Sequence, residues 1–177
     1  MRSRILKAVV IALIVLMNIG CDQATKHLAR AHLADRGTVF VVGNVFILHY
    51  VENEGAFLSL GAGLPRSVRS LVFVALPLAA LAAMIVYLAR RRSAAWTIVA
   101  GFSFIAGGGF GNLIDRLMRA GRVSDFMNLG IGSVRTGIFN FADLSILIGC
   151  LLILAGPWGR PRSVDTGHEA PPREPTP

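Results

Sequence analysis

The residues best placed for chemistry are two carboxylates. Asp143 closes the motif FNFAD (139–143), three residues after Asn140, at the mouth of a long uncharged run, and Asp125 lies in VSDF (123–126), in the loop before it. A carboxylate inside an apolar segment is costly unless paired, hydrogen-bonded or protonated, so it is a functional candidate by default. If the loop folds Asp125 over Asp143, double ionisation is disfavoured and one proton is shared, which supplies one acid and one base. Hydrolysis needs that pair, and a proton or ion relay stands close behind it.

Other polar residues sit near the same ends of the apolar runs. Asp22 and Lys26 are four apart and fit an ion pair on one helix face. In GGGFGNLIDR (107–116), Gly107, Gly108, Gly109 and Gly111 leave room for a close neighbour, and Asn112 and Asp115 face one cleft. Asp115 followed by Arg116 reads as a salt bridge that orients the loop and keeps Asp115 ionised, a poor proton donor. Asn53, in ENEGAF, reads as part of a surface turn opened by Gly55. His27, His32, His49 and His168 form no metal constellation, and Ser59, Ser124 and Ser145 lack a base in any nucleophile motif. No metal and no cofactor is expected. Cys21 and Cys150 lie in or beside apolar segments and make no disulfide framework.

The elements that must carry these groups are set by composition. The chain has 177 residues, 54% apolar and 16% charged, with a mean hydropathy of +0.60, which places it in a bilayer. The expected fold is an all-α membrane protein of one domain (1–159), with four transmembrane helices near 6–24, 69–89, 94–115 and 138–158. A small exterior β-rich region is expected over 38–51, a hairpin around Gly43-Asn44. The first run fits a signal peptide or a spanning helix, and Gly20-Cys21 faintly imitates a lipoprotein processing site. Three further apolar segments favour an uncleaved helix. Pro77 is expected to kink the second helix. Residues 160–177 read as a flexible cytoplasmic tail. Basic clusters at the N-terminus, at Arg90, Arg91 and Arg92, and at Arg160 and Arg162 put both termini in the cytoplasm and the polar cluster near the exterior face. The net charge of +8 is assigned to phospholipid headgroups rather than nucleic acid.

In order along the chain, DQATK (22–26), NEGAF (53–57), GGGFGNLIDR, VSDF and FNFAD resemble the bacterial lipoprotein signal peptidases, signal peptidase II. Phe57 departs from the pattern, where many members continue with a second small residue. The resemblance implies an inner-membrane aspartic endopeptidase that cuts diacylglyceryl-modified prolipoproteins immediately before the lipidated Cys. It implies catalysis by Asp125 and Asp143, with Asp22, Lys26, Asn53, Gly108, Asn112, Asp115, Arg116, Asn140 and Ala142 binding substrate or supporting the site. It also implies inhibition by globomycin-type cyclic peptides. The enzyme is expected to act as a monomer.

Overall fold

The computed structural model describes residues 2–56, 59–90 and 95–156. Helix α1 (Arg2–Leu33) has 32 residues, running nine past its expected end at 24. Its extra turns are carried by polar side chains: Lys26 pairs with Asp22 one turn earlier, and the Thr25 hydroxyl donates to the Cys21 carbonyl at 2.8 Å. Gly37, at φ +66°, lies in the left-handed turn that leads out of the helix.

Strands β1 (Val39–Val42) and β2 (Phe46–Asn53) form the expected hairpin, with Gly43 at φ +49° in its turn. A short helix α2 (Arg66–Ser70), one π turn (Leu71–Ala75) and helix α3 (Leu76–Arg90) then follow without a break. The π turn explains what happens to the kink expected at Pro77. That residue has no N–H for the Phe73 carbonyl, and the helix widens just ahead of it, with Leu76 N–H reaching the Leu71 carbonyl.

Helix α4 (Trp96–Met118) lies between α1 and α5 (Phe141–Leu154). Among the described residues, three helical stretches are long and apolar enough to cross a membrane: Ile5–Leu33, Arg66–Leu88 and Trp96–Met118. The fourth expected span is shorter than 138–158. Helix α5 has 14 residues, about 21 Å at about 1.5 Å per residue. It starts late because Phe139 is extended and bridges Met127, and because Asn140 caps it. Residues 157 and 158, like the tail, lie outside the described residues.

Between α4 and α5, β3 (Val123–Ile131) and β4 (Val134–Arg135) complete a four-stranded antiparallel sheet in the order β1-β2-β3-β4. Asp125, expected in a loop, is therefore a strand residue opposite Val51.

The molecule inverts the polarity of a soluble protein. Asp22, Lys26 and Asn140 are fully buried, whereas Leu16 is 65% and Leu151 56% exposed. Lipid gives no hydrophobic drive to pair helices, so close packing and polar bonds must do it. A Cβ on Gly108 would strike the Ala142 carbonyl, and one on Gly111 would lie 2.5 Å from Asp22 Oδ2. Gly108→Ala should therefore push α4 from α5 and cost about 1–3 kcal/mol, read as a lower melting temperature in detergent. Unchanged melting would mean that this contact is loose.

Candidate active site

Asn140 is the hub of the buried polar cluster. As N-cap of α5 it accepts from the Asp143 N–H at 3.1 Å, while Asp143 Oδ2 accepts from the Asn140 N–H at 3.0 Å. This reciprocal capping box fixes Asp143 against the first turn of the helix. The Asn140 side chain then donates to Asp125 Oδ1 at 2.7 Å and to Asn112 Oδ1 at 3.1 Å. Both carboxylates are thus bonded to one residue, Asp125 through its amide and Asp143 through its backbone.

The second support comes from α1 and α4. Lys26 Nζ lies 2.8 Å from Asp22 and 3.4 Å from Asp115, and donates to Asn112 Oδ1 at 2.8 Å. A cation on that oxygen dictates the orientation of the Asn112 amide, so its NH2 faces away and donates to Asp143 Oδ1 at 2.9 Å. Asp22 Oδ1 accepts from the Ala142 N–H at 2.9 Å, which ties α1 to the start of α5. Asp115 Oδ2 accepts from the Ser124 N–H at 3.0 Å and positions the strand that carries Asp125.

The third support is the segment after β2. Asn53 is buried at 8% exposure, not on a surface turn. Its amide donates to Asp125 Oδ2 and to the Ala56 carbonyl, both at 2.9 Å, and its oxygen accepts from the Gly55 N–H at 2.9 Å. Arg116 donates to the Gly55 carbonyl at 3.0 Å. The expected Asp115–Arg116 bridge is absent among the described residues: Asp115 pairs with Lys26 and with Arg119. Neighbouring residues on a helix diverge, and a residue four along shares the face.

Asn53, Asn112, Arg116, Asp125 and Asp143 line a small cavity of about 30 Å³, room for about one water molecule. Burial pushes the Asp125 carboxyl up from 3.8 to about 6, and the nearby Asp143 adds to the rise against the opposing bonds from Asn53 and Asn140 and the charge of Lys26. All eleven residues singled out in the sequence stand in or against this cluster. Gly108 and Ala142 do so as the contact that seats α5 on α4. Sequence reasoning missed Arg30, which donates to Ser124 Oγ at 3.3 Å across 94 positions that no spacing rule links.

The family model of Signal peptidase (SPase) II matches residues 13–157. A lipoprotein signal peptidase of Leifsonia xyli is 36% identical over 151 residues; the match covers 82% of this chain and 65% of that protein, just under two thirds of its length. One from Syntrophus aciditrophicus is 33% identical, with 75% and 82% covered. A solved bacterial membrane enzyme at 25% identity superposes with a TM-score of 0.72 over 82% of this chain and 90% of that one. With the match running through all the elements that build the polar cluster, the chain belongs to the signal peptidase II family.

Proposed function

We propose that this chain is an aspartic endopeptidase of the bacterial inner membrane, with Asp125 and Asp143 as the catalytic pair. It cuts diacylglyceryl-modified prolipoproteins immediately before the lipidated Cys. The observation that carries the reading is the pair's shared attachment to Asn140 beside a cavity the size of a water molecule. Burial favours the proton on Asp125, leaving Asp143 as the base. Asp143 takes a proton from water as its oxygen attacks the peptide carbonyl, and Asp125 gives its proton to the developing oxyanion. Collapse of the tetrahedral gem-diol breaks the C–N bond as Asp143 passes the proton it took to the departing nitrogen and Asp125 takes one back from a gem-diol hydroxyl. Asn53, Asn112 and Asn140 hold the two carboxyls apart in role. Lys26, Asp22, Asp115 and Arg116 hold the elements that carry them, and Gly108 and Ala142 let those elements meet.

With α5 as the last of four spans both termini share one side, and the basic clusters favour the cytoplasm for that side and the exterior face for the cavity. The chain acts as a monomer in phospholipid, without metal or cofactor, and a globomycin-type peptide inhibits it by covering the mouth of the cavity. A proton relay is disfavoured by sequence: residues 8–21, 96–114 and 144–154 carry no Asp, Glu, His, Lys or Arg to hand a proton onward.

Purified protein incubated with diacylglyceryl-modified precursor should release a fragment beginning at the lipidated Cys, identified by mass spectrometry. Cleavage elsewhere, or equal cleavage of unmodified precursor, would refute the substrate assignment. Because the free enzyme needs Asp125 protonated, kcat/KM should fall about tenfold per pH unit above about 6. Bound peptide deepens the burial, so the limb in kcat should lie at higher pH. A kcat/KM profile flat from about pH 5 to about pH 8 would remove Asp125 from the acid role.

A further inference from the structure

A second pocket, of about 200 Å³, opens between the start of α2 and the end of α4. Its lining includes Arg66, Arg69, Arg116, Phe73 and Leu117. The three arginines are not equally occupied. Arg69 is paired with Glu54 and donates to the Ala62 carbonyl. The Arg66 side chain makes no hydrogen bond or ion pair among the described residues. Arg116 lies over the Phe73 ring at 5.6 Å and gives one N–H to Gly55, but its buried Nε has no partner.

Two facts locate this charge. Arg66 begins one apolar helical stretch and Met118 ends another, so the pocket sits where both leave the hydrocarbon. Its surroundings are exposed and apolar, with Leu117 67% and Leu71 56% exposed. A basic pocket rimmed by lipid-facing side chains at that depth matches a phosphate with acyl chains attached. We infer that the pocket holds the phosphate of an anionic phospholipid between Arg66 and Arg116, with the acyl chains running down the surface that Leu71 and Leu117 begin.

The site bears on the carboxylate cluster through bonds already described. Arg116 holds the Gly55 carbonyl, Gly55 N–H holds Asn53, and Asn53 holds Asp125. Lipid in the pocket fixes Arg116 and so steadies the segment that positions Asp125. This consequence rests on the peptidase reading, whereas binding itself does not.

The test uses the full chain in nanodiscs of phosphatidylcholine with increasing phosphatidylglycerol, with retained lipid counted by native mass spectrometry. Wild-type protein should retain phosphatidylglycerol in preference to phosphatidylcholine. Arg66→Gln should lower that preference about fivefold, Arg66→Lys should keep most of it, and melting should not change, since Arg66 is exposed. Equal retention of the two lipids by wild type, or an unaltered preference in Arg66→Gln, overturns the proposal. So does displacement of phosphatidylglycerol by millimolar inorganic phosphate, which would make this a free-anion site. In the same discs, phosphatidylglycerol should speed precursor cleavage by wild type but not by Arg66→Gln. A binding preference without any cleavage would count against the peptidase reading and leave the lipid site standing.

Discussion

Asp125→Asn should slow precursor cleavage by about 10²- to 10⁴-fold, the range for loss of a positioned acid or base, while leaving the protein at least as heat-stable as its parent at pH 8. The two halves of that result have different causes. Chemistry is lost because an amide has no proton to give at the right affinity. Stability is kept because the native carboxyl is a burden when ionised. Its pKa is raised by folding from 3.8 to about 6, so its contribution to stability is full below 3.8 and is lost as pH rises through about 6. That separation corresponds to about 3 kcal/mol, against about 1 kcal/mol for the one bond an amide must forfeit to Asn53 or Asn140. Asp143→Asn should be equally inactive but less stable, because it weakens the cap of α5 by about 1 kcal/mol. Cleavage assays beside thermal melts separate the cases. Asp115→Asn is the control: if its folded form is inactive while Asp125→Asn still cuts, the wrong carboxylates have been paired.

The largest expected loss of stability comes from Lys26→Met. Its ammonium is buried with Asp22 at 2.8 Å and Asp115 at 3.4 Å, and removing it strands Asp22, which is 0% exposed, and leaves the buried Asp115 with Arg119 as its remaining cation. Breaking a buried ion pair in this way costs about 3–5 kcal/mol, about 10 °C or more in melting temperature for a chain of this size. Lys26→Arg should rescue little, because a planar fork does not replace a compact charge with three differently placed partners. Adding Asp22→Asn to Lys26→Met should recover part of the loss by removing one stranded charge. Melting unchanged in the single variant would show that the cluster is solvated rather than sealed.

Much of this architecture is legible from local pattern. The Gly43-Asn44 turn and the i,i+4 pair of Asp22 and Lys26 each obey a short-range rule and take the expected form, the three-residue spacing of Asn140 and Asp143 becomes a capping box, and three apolar runs give helices long enough to cross a membrane. The misses in the sheet are long-range. VSDFMNLGI lacks a clean alternation because its first four residues are all buried, so nothing in it announces a strand. Its partner β2 lies some 70 positions away. Asn53 reads as a turn residue until Asp125 is brought to it by that same pairing. Helix α1 outruns its apolar stretch because Lys26 and Asp22 satisfy each other inside the bundle, which hydropathy scores as a reason to stop. The Asp115–Arg116 expectation failed on sequence adjacency, where a 3.6-residue period already favoured Arg119.

The bond from Asp22 to the Ala142 N–H joins positions 120 apart in sequence. A chain emerging from the ribosome holds one end of that bond from the first helix onward and must wait for the last helix to supply the other. Lys26, Asn112 and Asp143 wait on the same event, since Asn112 is aimed by one and aims at the other. On the peptidase reading, a partly synthesised chain lacks half of its carboxylate pair, and the cluster closes only once α5 has been made. Under that same reading, the order of synthesis withholds cleavage until α5 is in place.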